Sequence, residues 1–239
     1  MSIAVAQVKV GTIAAGTVTS ISASFDATPA TSSLIVVATF LKHSAASPPD
    51  ITVSDNQGNT YAEKLDRTGT RARSFQHFVN GPIASGTFTV TATPAASTSA
   101  MQIVLYEITG FDTGAPDEAV NSQGSSGTAV DSLSVTPAGN ALYIAMCTAQ
   151  TTGQTITEES EGWTLNTESE GGAIVHSLLS KVGSGSINGN WTLGTGGNWA
   201  AGITAWKEAA AGGGRTTRNT RPTMNVKPGV GFARMRRSA

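Results

Sequence analysis

The stretch SSLIVVATFL, at positions 32–41, predicts a β-strand that is apolar on both faces. Successive side chains of an extended chain point to opposite sides, so this stretch presents two separate sets. One set is Leu34, Val36, Ala38 and Phe40, and the other is Ile35, Val37 and Thr39. A strand that is apolar on both faces belongs in the centre of a sheet, with both faces covered.

A second stretch, NALYIAMCTA at positions 140–149, starts the same series of segments again. Each copy continues with a polar loop, a Gly/Asn turn, a strand with bulky side chains, a short strand and a closing apolar strand. The closing strands are AMQIVLYEITG at 100–110 and NWAAGITAWKE at 198–208. Short strands at intervals of ~8–12 residues are typical of sandwiches. The prediction is an all-β fold, a tandem or duplicated antiparallel β-sandwich (Ig-like or jelly-roll-like) with an extended basic C-terminal arm.

This pattern divides the chain into four parts. A single large sandwich remains the alternative to two separate halves. The predicted parts are a first half at 1–112, a linker or long loop at 113–130, a second half at 131–210 and the arm at 211–239. The alternative for the second part is a long surface loop that contains a short strand at 118–121.

The segment SDNQGNTYAEKL, at 54–65, places several oxygen-bearing side chains around Gly58. A calcium loop of the EF-hand type would need its glycine at the sixth position, but Gly58 is fourth when counted from Asp55. Apolar and polar residues alternate on both sides of the turn. The segment therefore predicts a β-hairpin rather than a metal loop.

Charge is divided unevenly along the chain. The arm carries seven basic and no acidic residues, whereas the rest carries eight basic residues against all sixteen acidic ones, a balance of −8. Pro222 and Pro228 favour an extended arm, and apolar residues alternate with its charges. We interpret it as a partner-binding arm. Its binding residues would be Arg215, Arg218, Arg221, Lys227, Phe232, Arg234, Arg236 and Arg237.

Two partners suit such an arm. Nucleic acid would use its charge alone, whereas the acidic body of a neighbouring copy would use both charge and apolar contact. The opposite charges of arm and body favour the protein partner, and with it a homo-oligomer.

All four tryptophans lie in the second half. Core packing explains them most simply. The alternative is an exposed aromatic platform for sugar rings formed by Trp191 and Trp199, which Gly and Asn flank as in a loop.

A reactive constellation is not evident in the sequence. The histidines, His43, His77 and His176, have no metal-ligand spacing. A glycoside hydrolase needs two carboxyl groups, and one cluster could supply them: Glu158, Glu159, Glu161, Glu168 and Glu170. A solvated acidic edge is the favoured interpretation of this cluster. Cys147 lies in an apolar run and predicts a buried thiol. No catalytic residue, metal or cofactor is predicted.

Targeting signals are equally lacking, because no run reaches the ~18 apolar residues of a membrane helix and the N-terminus lacks the pattern of a signal peptide. We expect folding in a cytoplasm and no membrane partner.

The segments LIVVATF, ITVSDNQGNTY, FVNG, GTFTVTAT and IVLYEITGF, followed by NWAAGITAWKE, resemble β-sandwich proteins that are common in tailed-bacteriophage and prophage genomes. The resemblance spans about residues 17 to 208 and leaves the arm outside. It implies a non-enzymatic virion protein, of the capsid-decoration, head-accessory or tail-surface kind, that binds other virion proteins and copies of itself. The alternative is a glycan-binding module on the virion surface, in a tail or fibre adhesin.

Overall fold

The computed structural model describes residues 2–113, 119–151, 153–159, 162–170 and 173–210, with the backbone alone for 119–125. Every regular element in these ranges is a β-strand. The strands are β1 (Ala4–Val10), β2 (Ala14–Val18), β3 (Ile21–Ser24), β4 (Leu34–Lys42), β5 (Ile51–Asp55), β6 (Ala62–Gly69), β7 (Ala72–Asn80), β8 (Thr89–Pro94), β9 (Thr98–Thr109), β10 (Ala119–Asp131), β11 (Ala141–Ala149), β12 (Ile156–Glu158), β13 (Thr164–Ser169), β14 (Val175–Gly183) and β15 (Asn190–Lys207).

Two large antiparallel sheets have the same internal order. Inner sheet one runs β1-β9-β4-β7-β6, and inner sheet two runs β10-β15-β11-β14-β13. In each half the central strand, β4 or β11, has two neighbours. One is the closing strand, β9 or β15, and the other is the strand with bulky side chains, β7 or β14. A third, outer sheet of β3-β8-β5 belongs to the first half alone. The all-β, antiparallel character predicted from the sequence is confirmed for the described residues.

The layers pack so that both inner sheets are covered on both faces. Between the two inner sheets lies the shared core, in which residues of both halves meet. It includes Leu34, Val36, Ala38 and Phe40 from β4, and Leu142, Ile144, Met146 and Trp206 from sheet two.

The opposite face of β4, with Ile35, Val37 and Leu41, packs against the outer sheet through Phe88 and Val90. The predicted division of β4 into two buried faces is therefore confirmed. Because the shared core joins the halves, the division into domains stays a prediction.

The predicted hairpin at 54–65 is wrong. β5 pairs with β8 in the outer sheet, whereas β6 pairs with β7 in inner sheet one, so the turn carries the chain from one layer to another. The second half repeats this change of partner within one sheet, since β12 pairs with β15 and β13 with β14. Alternation identifies strands, but it does not identify their partners.

The linker prediction for 113–130 is also wrong over most of its length. Residues 119–131 form β10, which pairs with β15 from Ala119↔Ala205 to Asp131↔Asn190. Glycine and serine weaken a strand's propensity and so favour a loop interpretation. The backbone ladder with β15 overrides that propensity here.

Candidate functional site

The Gly58 turn uses its oxygen atoms within the fold. Asp55 Oδ1 accepts hydrogen bonds from the Gln57 and Asn59 amides at 2.9 and 3.1 Å. Its Oδ2 accepts from Asn59 Nδ2 at 2.8 Å and from the Tyr61 hydroxyl at 2.9 Å. Burial and the adjacent Asp55 raise the pKa of Tyr61. These four donors occupy the carboxylate, which explains the turn without a metal.

Side-chain amides also join this turn to the segment before β8. Asn59 donates to the Ile83 carbonyl and accepts from the Ile83 amide, at 2.8 and 2.7 Å. Asn56 does the same with Thr87 O and Thr89 N, at 2.9 and 3.0 Å. Each amide thus reproduces the two hydrogen bonds of a neighbouring strand residue. The segment that raised the metal question is a structural clamp.

His77, His176 and Cys147 are buried in the layers, whereas His43 is half-buried. His176 is fully buried and stacks on Phe40 across the shared core, with ring centroids 4.4 Å apart. Burial lowers the pKa of His176 to about 3 and that of His77 to about 4. Cys147 is fully buried, as predicted, and burial raises its pKa. These rings are neutral at pH 7 and the thiol is protonated.

The acidic side chains near β12 are partly engaged rather than simply solvated. Glu158 accepts from Ser177 Oγ at 2.8 Å, and Glu170 accepts from the Ile156 amide at 2.6 Å. Burial, together with a hydrogen bond and repulsion from Glu158, raises the pKa of Glu168 to about 7. The group braces β12 against β13 and β14. Glu161 lies outside the described residues.

No set of three or more His, Cys, Asp or Glu side chains in the described ranges is arranged to hold a metal ion.

The prediction of an exposed platform at Trp191 and Trp199 is wrong. The two side chains are only 1% and 3% exposed and belong to the outer core of the second half. Their glycine neighbours allow close packing rather than a loop. A Cβ at Gly189 would lie 2.7 Å from both Trp191 Cη2 and Ala145 Cβ.

The two indoles border a cleft of about 360 Å³, beside Asp131, Glu159 and Asn190. Because both are almost completely buried, they do not present the flat faces on which a sugar ring would stack. The cleft therefore lacks the feature that motivated the glycan hypothesis.

A different surface stands out at the outer edge of the shared core. We call it the seam groove, a cavity of about 390 Å³ between β1 of sheet one and the β13–β14 edge of sheet two. Its lining is Ile3, Ala4, Val5, Val8, Leu142, Thr164, Asn166, Ser180, Lys181 and Val182.

The seam groove continues the shared core to the surface. Ile3 and Leu142 are buried core residues, whereas Val182 is 50% exposed. A hydrogen bond of 2.8 Å from the Tyr106 hydroxyl to Asn166 Oδ1 ties the two sheets together beside it. Burial raises the pKa of Tyr106, so the hydroxyl stays protonated.

Sequence reasoning missed the seam groove. The signal available was Val5 and Val8 near the N-terminus, but only the packing of the halves shows that this strand contacts β13.

The predicted arm, 211–239, lies outside the described residues. So do its predicted binding residues, Arg215, Arg218, Arg221, Lys227, Phe232, Arg234, Arg236 and Arg237. The point where the chain reaches the arm is described. The Ala209 amide donates to the Gly110 carbonyl at 2.8 Å.

Comparison with protein-family models, with curated proteins and with solved structures finds no match for this chain. Within the described residues, no helix has the length and apolarity that crossing a membrane requires.

Proposed function

We propose that this chain is a non-enzymatic structural protein of a tailed-phage virion. It acts as a capsid decoration or cement protein, or as a head–tail accessory protein, and attaches to its neighbours through the arm at 211–239. Its partners are other virion proteins and copies of itself, and it assembles in the cytoplasm of the host bacterium. In this proposal the fold is a duplicated sandwich, and the repeated strand order of the inner sheets supports it.

The seam groove is the observation that carries the proposal. It offers apolar surface at the edge of a continuous double sheet, where binding buries that surface without chemical turnover. An enzyme instead needs titratable groups that converge on a cleft. His176 and His77 are buried, and Glu158 and Glu170 accept hydrogen bonds from the fold itself.

Electrostatics supports attachment through the arm. The arm carries +7 and the remainder of the chain −8, so arm and body of neighbouring copies attract each other. Exposed charges separated by more than a Debye length, ~8 Å at physiological salt, are screened. Attachment should therefore weaken as salt is added.

Co-sedimentation with particles stripped of accessory proteins tests the proposal. The full chain is compared with a chain that ends at Ala211, at low and at high salt. The full chain should pellet and the shortened chain should not, with less pelleting of the full chain at high salt. A full-length control, with the seven basic arm residues replaced by Gln, separates charge from length.

The proposal is overturned if the full chain and the shortened chain both stay in solution. The partner of the arm would then not be the particle shell.

A further inference from the structure

The arm begins beside one end of the seam groove. Ala209 is hydrogen-bonded to Gly110, and a Cβ at Gly110 would lie 2.2 Å from the Ser2 carbonyl oxygen. Ser2 precedes Ile3, which lines the groove. Gly110 has a φ of +72° and touches the backbone of this N-terminal segment. Gly110 therefore contacts both Ala209, where the chain reaches the arm, and Ser2, which leads into the groove wall.

The groove selects for apolar rather than charged residues. Its lining contains five aliphatic side chains larger than alanine, no carboxylate, and Lys181 as its one charged residue. The arginines of the arm find no carboxylate in such a lining. The arm has a segment of matching character, PTMNVKPGVGF at 222–232, with Lys227 as its single charge. Met224, Val226, Val230 and Phe232 supply its apolar side chains.

The length of the connection suits the distance. Thirteen residues separate Ala210 from Met224, and three glycines follow the first of them, Ala211. A flexible chain of that length spans about 20 Å on average. The seven residues of β1 extend over about the same distance, ~3.3 Å per residue. A tether whose average length matches the span gives the highest effective concentration.

We propose that residues 222–232 occupy the seam groove of their own chain in the free protein. Met224, Val226, Val230 and Phe232 cover the apolar lining, and the arginines on either side stay in water. This inference rests on the proposed function and deepens it, because it names the surface on which the arm is held before attachment.

Disulfide trapping in the full chain tests the docking. Val182→Cys places a thiol in the groove, and Val226→Cys places one in the arm. Cys147 is fully buried and does not compete. At about 10 μM protein, a tethered segment at millimolar effective concentration favours the intrachain disulfide about 100-fold over the interchain one. Peptide mapping by mass spectrometry identifies the pair, and a non-reducing gel shows a monomer.

Leu165→Cys combined with Val226→Cys is the matched control. Leu165 is 48% exposed, close to the 50% of Val182, and lies next to the groove residue Thr164. Its cross-strand partner Leu179 belongs to the outer core, so it faces away from the groove. A docked segment should give a yield at Val182→Cys at least about tenfold above that at Leu165→Cys, whereas a merely tethered arm reaches both.

Equal yields at the two positions, or interchain disulfides alone, overturn the inference. The trapping uses free protein without particles. Its failure would therefore leave the sedimentation result intact, and a failure of sedimentation would leave the trapping result intact.

Discussion

The two halves of the molecule share the order of their inner strands but cover their outer faces differently. The first half adds a separate sheet, β3-β8-β5, whose core contains Phe25 and Phe88. In the second half β15 continues for 18 residues, and its first residues pair with β12 and with the end of β10. Trp191 and Trp199 pack in the outer core of this half.

This difference shows which layer the architecture requires. The two sheets that meet in the shared core have the same strand order. The outer layers of the two halves, in contrast, are built from different strands and different side chains. The interaction between the inner sheets therefore defines the fold, and each outer layer only has to exclude water from the sheet below it.

Removing an indole from the shared core should have the largest effect. Trp206 is fully buried there, and its ring lies edge-on to Phe78 at 5.3 Å. Trp206→Ala should lower the free energy of unfolding by ~3–5 kcal/mol, through lost burial and the remaining cavity. All tryptophans lie in the second half, so fluorescence reports that half while hydrogen exchange of β8 reports the first.

Because the core is shared, fluorescence and hydrogen exchange should both report a lower free energy of unfolding for Trp206→Ala. Trp191→Ala, in the outer core, is the control of equal size. If hydrogen exchange of β8 is unchanged in Trp206→Ala, the halves are energetically independent.

A polar contact between the inner sheets should have the next largest effect. Thr204 Oγ1 donates to Gln76 Oε1 at 2.6 Å, and both residues are fully buried. Thr204→Val leaves this oxygen without its donor and should cost ~1–3 kcal/mol in urea unfolding.

Ser22→Ala gives the contrast in the outer sheet, where the Ser22 hydroxyl lies 2.8 Å from Thr91 Oγ1 and is exposed. It should cost less than about 0.5 kcal/mol. If Thr204→Val and Ser22→Ala lower the free energy of unfolding by similar amounts, the inner sheets do not contribute more to stability than the outer sheet.

The sequence predicts the inner layer well because burial leaves a local signature. β4 and β11 are continuous apolar runs, and only a strand covered on both faces needs such a run. The outer layers depend on pairings distant in the chain. β5 is followed closely by β6 but pairs with β8, and no local pattern in 51–65 distinguishes these partners.

The site was less predictable than the fold for the same reason. Glycine beside Trp191 indicates a loop when the sequence is considered alone, yet here it makes room for the ring. The seam groove depends on β1 and the β13–β14 edge, which come from opposite halves and line one cavity only when the inner sheets pack. Residue types alone do not encode that meeting.

Acid should weaken the shared core through His176. Its pKa is about 3 in the folded protein, against an ordinary value of 6.5, so the unfolded chain binds the proton more readily. Stability from the neutral ring is complete above pH 6.5 and is lost as the pH falls toward 3. The slope should be at most about 1.4 kcal/mol per pH unit for this one proton.

His176→Leu should remove the contribution of this proton to the slope of unfolding free energy against pH. Urea unfolding at pH 7, 6 and 5 measures that slope. His77, with its pKa lowered to about 4, keeps its own share in this variant. An unchanged slope in His176→Leu would mean that water reaches the ring between the sheets.

The smallest effect, with the opposite sign, belongs to the outer layer of the second half. The pKa of Glu168 is raised to about 7, first by burial and then by Glu158, so the folded state binds its proton more readily than the unfolded chain. Its contribution to stability grows as the pH falls from 7 toward 4.5. Glu168→Gln should therefore stabilise the protein at pH 8, by less than about 1 kcal/mol because the group is partly exposed. The gain should shrink as the pH falls below 7 and disappear below pH 4.5, where the same variant is its own control. A gain that is as large at pH 4 as at pH 8 would show that it does not come from ionisation of the Glu168 carboxyl group.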